Sequence, residues 1–330
     1  MSQRLQYATA FAPATIGNVG VGFDTLGMAI KGVGDEVQVS KRKDKLVFIH
    51  SITGVSDSAS LSLVAERNTA GASLLALQHG EKINYGFDVW IKKGIPMGSG
   101  MGGSAASAVG AIIAANQLLK KKLTNKQKLY YALEGEKVAS GAAHPDNVAP
   151  CIMGGITLAS LQWDEPMLSL PFPNVMGWVL VHPNVKVETK AARAILNRNV
   201  PLEKYVEQSS LLSCFLMGLF KKDLKLIRQG FKDVIIEPQR SHLIPGFDHM
   251  RQSTLLQKGV LGFSISGSGP SVFALTNSLA TSKKIAQLLK SEFNKLNLET
   301  ECYVGIGRCP GAHLVKRKPF MLINQESFNQ

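Results

Sequence analysis

Between residues 94 and 107 the chain reads GIPMGSGMGGSAAS. Upstream, Phe87, Val89 and Ile91 alternate with Asp88 and Trp90, the period of a strand that ends near Gly94. Downstream, residues 104–119 are dominated by Ala, Ile, Val and Leu, a composition suited to a buried helix. A strand, a glycine loop and a helix N-terminus in this order form an anion site. The unpaired N–H groups of the first turn and the positive end of the helix dipole point into the loop. Glycines let a backbone approach phosphate and adopt positive φ without steric cost. A purely structural glycine turn would use the same residues, but their density and Ser104 at the helix start favour phosphate. No Gly-Lys-Ser/Thr follows, so this is not a Walker A loop, and the glycine spacing does not fit a dinucleotide fingerprint.

Working outward, the first ~90 residues read as β-rich. Strands are expected near 5–11, 35–40, 45–50 and 86–93, with a helical segment at 67–79. Thr124 is a good N-cap for a second helix running to about Ser140. A loop at 144–150 then leads through Gly154 and Gly155 to a strand near 156–161. Beyond 176 the pattern predicts a strand (177–182), a helix (189–196) and a helical stretch (204–230). Strands at 260–266 and 271–276, a helix at 282–296 and a strand at 301–306 complete it. In the last helix Ile285, Leu288, Leu289, Phe293 and Leu296 share one face. Strands and helices mixed without strict alternation argue an α+β fold in two lobes. Prolines 166, 171 and 173 suggest a boundary, giving lobes over 1–165 and 166–315 and a polar, loosely held tail over 316–330.

Composition limits the function classes. The 330 residues are 45% hydrophobic and 18% charged, which describes a folded soluble chain with ample core. No apolar run reaches the length of a membrane span, and no secretory leader pattern opens the chain. Cys151, Cys214, Cys302 and Cys309 form no CxxC pair and suit reduced thiols in the cytoplasm. The net charge of +13 comes from scattered lysines without interleaved aromatics, which argues against a nucleic-acid partner.

Three further segments carry polar groups suited to chemistry. Residues 13–24, PATIGNVGVGFD, hold Asn18 and Asp24 in a glycine-rich bend, although a plain turn uses the same residue types. On the helix beginning at Thr124, Leu129, Leu133, Glu136 and Ser140 share one face. An acid on an inward face must be paired or bind a metal, and Mg²⁺ is typically held by one or two carboxylates. His144, Asp146 and Asn147 follow it. Residues 264–271, SISGSGPS, lie between two apolar strands as a hairpin turn, a phosphate contact or a buttress for the first loop. Arg193 and Arg240 are candidates for a carboxylate, which arginine grips by bidentate geometry.

Together these segments resemble the homoserine kinase family of the GHMP small-molecule kinase superfamily, from about residue 5 to 315. PMGSGMGGSAAS at 96–107 marks the superfamily, and SGSGPSVFAL at 266–275 accompanies it. PATIGNVGVGFD, SGAAHPDNVAP at 140–150 and EPQR at 237–240 narrow it to the family. One departure is visible: Gly103 precedes Ser104, where many members have two serines. The resemblance implies a ribosomal-protein-S5-like first lobe and a ferredoxin-like second lobe. It also implies a cytoplasmic homodimer that uses ATP and Mg²⁺ to convert L-homoserine to O-phospho-L-homoserine for threonine synthesis. By resemblance, Pro96, Met97, Gly98, Ser99, Gly100, Met101, Gly102, Gly103, Ser104, Ala105, Ala106 and Ser107 cradle the ATP phosphates. Ser104 and Glu136 would serve Mg²⁺, and Asn18, Asp24, His144, Asn147, Arg193 and Arg240 would surround the amino acid. Several relatives have an aspartate base where this chain has Asn147, so no dedicated general base is expected, with Asp146 the competitor. A non-catalytic nucleotide-binding regulator is the rival from another class, and Ser104 with Glu136 argues against it.

Overall fold

The computed structural model describes residues 7–55, 57–141, 144–318 and 320. The first sheet grows from β1 (Tyr7–Gly17) and β2 (Leu26–Arg42), paired antiparallel from Tyr7↔Ser40 to Gly17↔Gly27. β3 (Val47–Gly54) lies parallel to β4 (Gly86–Lys93), which pairs antiparallel with β2. Between β3 and β4 runs α1 (Thr69–Gly80), capped by the Asn68 side chain. After β4 come α2 (Gly103–Leu118) and α3 (Asn125–Ser140). Phe87, Val89 and Ile91 point inward as their alternation requires, together with Val37 and Val39. α2 is buried all round, and its small side chains let it settle close on the sheet: a Cβ on Gly110 would lie 2.8 Å from Val37 Cγ2. Thr124 and Gln127 form the capping box that starts α3, and Gly141 ends it in the left-handed conformation.

The 144–150 segment is not the expected loop. It is the start of α4 (Pro145–Met153), because Pro145 occupies the first helical turn, where its missing N–H costs nothing. β5 (Ile156–Ala159) pairs with β2, and β6 (Met167–Leu170) pairs with β5. The chain then crosses into the second lobe.

The second sheet begins with β7 (Gly177–Pro183). α5 (Thr189–Ala194), α6 (Leu202–Lys221) and α7 (Leu224–Gly230) follow. The expected helix over 204–230 is two helices, broken where Lys222 turns left-handed with φ 54°. Periodicity missed α8 (Glu237–Arg240) and α9 (Phe247–Leu255). β8 (Val260–Ile265), β9 (Val272–Thr276), α10 (Leu279–Lys295) and β10 (Thr300–Ile306) complete an antiparallel sheet of order β10-β7-β9-β8. Every β7 residue is buried because both faces are covered. Trp178 and Leu180 join the first lobe's core, while Val179 and Val181 pack with Ile285, Leu289 and Phe293 of α10. The α+β class and the two-lobed arrangement are therefore as expected.

β11 (His313–Val315) returns to pair antiparallel with β1, so the first sheet runs β11-β1-β2-β4-β3. Just beyond it, the described residues of the tail are tied to the first sheet. Arg317 pairs with Glu36, and the Gln38 side chain binds the Lys318 carbonyl and the Phe320 amide. Residues 321–330 lie outside the described residues.

Candidate active site

Gly98, Gly100 and Gly102 have φ of 64°, 74° and 67°, the left-handed region expected of glycines that curl a backbone around an anion. Gly102 is also the N-cap of α2 and offers no side-chain acceptor, which leaves the first-turn amides to a ligand. A Cβ at Gly102 would lie 2.1 Å from Thr15 Oγ1. The loop is buttressed by the turn between β8 and β9: Ser266 Oγ donates to the Gly100 carbonyl at 2.7 Å, and the Ser271 amide to the Ser99 carbonyl.

A buried network that sequence reasoning missed closes the base of this loop. The Asp35 carboxylate is fully buried and accepts the amides of Gly94 (3.0 Å) and Ile95 (3.3 Å) and the Ser107 hydroxyl (2.7 Å). It also pairs with Lys93, whose ammonium donates to the Gly103 carbonyl at 2.7 Å and to Ser107 Oγ at 2.9 Å. The loop's two ends are thus tied to one ion pair. Lys93 continues the alternation of β4 to an inward position, a signal that was legible but easily taken for the end of a strand.

Ser104 and Glu136 meet across the mouth of the loop. Burial pushes the Glu136 carboxyl up to about 7, with the Ser104 hydroxyl and Lys93 pulling it back down. Leu129 and Leu133 are buried beside Glu136 and Lys137 is exposed, as the helical spacing requires. Two oxygen donors at a helix N-terminus, one a desolvated carboxylate that a cation would return to its charged form, suit Mg²⁺.

The other end of the cleft is polar and charged. Asn18 bridges the first and third motifs, donating to the Gly267 carbonyl at 2.9 Å and accepting from the Asp24 amide at 3.0 Å. Asn18, Val19 and Asp24 hold φ of 68°, 42° and 58°, a strained bend that aims Asp24 into the cleft. Arg193 grips Asp24 with two hydrogen bonds of 2.9 and 2.8 Å, and His144 Nδ1 stands 3.4 Å from the same carboxylate. Arg240 is buried; it donates to the carbonyls of Ala192 and Gly267, each at 3.1 Å, and shares the Phe23 ring with Arg193. Burial lowers the affinity of His144 for its proton.

α4 supplies the last two groups. Asn147 Oδ1 accepts from Thr15 Oγ1 at 2.8 Å, and its Nδ2 donates to Asp146 Oδ2 at 3.2 Å. Asp146 is fully desolvated and faces the negative charges of Asp24 and Glu136, so its carboxyl is pushed up to about 7. The helix comes this close because Gly17 and Gly27 face it: a Cβ on Gly27 would lie 1.7 Å from the Asp146 carbonyl.

One cavity is lined by Asn18, Asp24, residues 96–104, Glu136, His144, Asn147, Arg193 and Arg240, joined by Asp146 and Thr189. Ala105, Ala106 and Ser107 do not line it. They continue α2 into the core, where Ser107 serves Asp35 and the Ala106 amide is spent on the Gly102 carbonyl. Among the described residues no group of three or more His, Cys, Asp or Glu is arranged to hold a metal. No helix among them is long and apolar enough to cross a membrane.

Comparison with known proteins agrees with this architecture. The GHMP kinase N-terminal domain matches residues 68–155 and the GHMP kinase C-terminal domain residues 216–295. The chain is 42% identical over 308 residues to homoserine kinase of Xylella fastidiosa strain M12, covering 93% of this chain and 94% of the relative. With homoserine kinase of Chlorobaculum tepidum it shares 36% identity over 94% of this chain and 99% of the relative. The crystal structure of homoserine kinase from Cytophaga hutchinsonii superposes with a TM-score of 0.89 at 40% identity, covering 96% of this chain and 99% of that one. L. major mevalonate kinase, at 15% identity and a TM-score of 0.63, shares the fold. A glycine loop at a helix N-terminus, an acid poised beside it and relatives alike over almost their whole length place this chain in the homoserine kinase family of GHMP kinases.

Proposed function

We propose that the cleft transfers the γ-phosphoryl group of ATP directly to the side-chain hydroxyl of L-homoserine, giving O-phospho-L-homoserine for threonine synthesis. The observation that carries this reading is the meeting of two unlike sites in one cavity. A glycine loop and helix N-terminus stand at one end, and a carboxylate flanked by two guanidinium groups at the other. The first suits a triphosphate and the second an α-amino acid.

The loop amides and the dipole of α2 receive phosphate oxygens and the charge that develops on them. Ser104 and Glu136 would hold Mg²⁺, which supplies further charge neutralisation when bound. Arg193 and Arg240 take the amino acid's carboxylate, and Asp24 its ammonium. Arg240 is already fixed by two carbonyls, so it reaches this state with little ordering cost. The Arg193–Asp24 pair is matched by the two charges of the zwitterion, each able to satisfy the opposite partner. Asn18 shapes the bend and His144 stands beside Asp24. Asn147 is held by Thr15 with its carbonyl oxygen occupied, so its remaining N–H orients the acceptor hydroxyl and cannot take its proton. The proton then leaves late, to the transferred phosphate or to solvent.

A second reading makes Asp146 a general base, and its position in the cavity wall with a carboxyl near 7 favours it. Asp146→Asn separates the two. Loss of kcat by several orders of magnitude at unchanged KM assigns Asp146 the proton, and a loss below tenfold leaves the transfer without a dedicated base. By the same family reading the enzyme acts in the cytoplasm as a homodimer. We place the lobe boundary after β6, with β11 counted in the first lobe. The activity is tested by ADP release from Mg-ATP with L-homoserine, beside L-serine, L-threonine, mevalonate and no acceptor. Turnover confined to L-homoserine supports the assignment, and turnover with another alcohol moves the substrate.

A further inference from the structure

The segment that follows β7 leaves the second lobe and runs along the phosphate loop. The Val187 amide donates to the Gly98 carbonyl at 3.2 Å, and a Cβ on Gly98 would lie 3.4 Å from Lys186 Cβ. Lys186 therefore stands beside the first left-handed glycine of the loop. Its ammonium is 2.8 Å from Asp57 Oδ2, on the chain that leaves β3 in the first lobe. The Lys186 side chain is 64% exposed, so the pair is a weak, solvent-screened one that a stronger anion displaces easily. A second cavity, lined by Asp57, His182 and Lys186, opens on this side and shares Pro96 and Met97 with the cleft. Pro96 and Met97 line both cavities, and Lys186 lines the outer one with its stem beside Gly98.

We propose that Lys186 is a ligand of the nucleotide's phosphates, held in reserve by Asp57. When a polyphosphate sits on the loop amides, the ammonium leaves the Asp57 carboxylate for a phosphate oxygen. A flexible four-carbon stem ending in a compact charge suits such an exchange, since it needs no fixed bidentate geometry. The partners belong to different lobes, so the exchange also makes nucleotide binding sensitive to how the lobes are held together. The loop amides then act on the phosphates from the cleft side and Lys186 from the outer side. This inference rests on the phosphate-loop assignment proposed above.

The test is equilibrium binding of ATP and of adenosine, without acceptor, to the full chain and to K186M, K186R, D57N and D57N/K186M. K186M should bind ATP about tenfold more weakly, the loss of one charge-assisted hydrogen bond. K186R should retain most of the affinity. D57N should bind ATP about threefold more tightly, because the ammonium no longer has a competing partner. The double variant should match K186M, and adenosine should bind all five proteins alike. A merely structural ion pair would make K186M and D57N change in the same direction. The proposal is overturned if K186M binds ATP as the unmodified chain does, or if D57N weakens binding. Failure of the unmodified chain to bind ATP overturns the phosphate-loop assignment and this inference together. ATP binding that no variant alters removes Lys186 alone.

Discussion

Replacing Lys93 by Met keeps the length and apolar stem of the side chain and removes only its charge and donors. In the folded protein Lys93 and Asp35 are 3% and 0% exposed, so water cannot take the place of the lost partner. Asp35 would retain the amides of Gly94 and Ile95 and the Ser107 hydroxyl, but as a carboxylate buried without a counter-charge. The Gly103 carbonyl would lose its donor as well. Breaking a buried pair by removing one partner costs about 3–5 kcal/mol. At an unfolding entropy of about 2.1 cal/mol/K per residue, a chain of this length loses roughly 4–7 °C of melting temperature. Asp35→Asn in the Lys93→Met background should recover much of this, since the amide oxygen still accepts Gly94 and Ile95 and no charge stays buried. Urea unfolding followed by far- and near-UV circular dichroism reads both numbers where the two probes coincide. A Lys93→Met loss under 1 kcal/mol, or costs of the two substitutions that simply add, would refute the coupling.

Other perturbations address the cleft. Arg240→Ala should raise KM for L-homoserine at least tenfold while leaving KM for ATP within about twofold, the loss of a charged hydrogen bond to the substrate; equal effects on both substrates would remove its assignment to the carboxylate. Gly102→Ala places a Cβ 2.1 Å from Thr15 Oγ1 at a φ of 67°, so ATP affinity should fall more than tenfold, and unaltered ATP binding would mean the loop geometry is not what holds phosphate. Burial raises the Asp146 carboxyl from 3.8 to about 7, so the native state favours its protonated form. The stability it contributes is complete below about pH 4 and is lost as pH rises through about 7. Unfolding free energies at pH 4.5 and 8 should therefore differ less in Asp146→Asn than in the unmodified chain, by up to a few kcal/mol. An identical difference would show that Asp146 is solvated.

Local chemistry was written plainly in the chain. The glycine loop, the capping box at Thr124 and the alternation of β4 depend on neighbours within a few residues, and so did Glu136, whose helical face follows from Leu129 and Leu133. Segments whose conformation is set by distant partners were less legible. α4 took the place of an expected loop because a proline at a helix start looks like a turn until Gly17 and Gly27 are seen to make room for it. β6 and β11 are 4 and 3 residues long, too short to show a period, and exist because β5 and β1 offer them free edges. The partnerships of Asp35 with Lys93 and of Thr15 with Asn147 were not legible, since an ion pair spanning 58 positions and a hydrogen bond spanning 132 are properties of packing. The sequence by itself determined which residue types stand in the loop and on each helix face, through steric preference and periodicity. Only the tertiary structure decided which loops meet, that Arg193 grips Asp24, and which carboxylates lose their water, because burial and long-range electrostatics come into being only when the lobes close on one another.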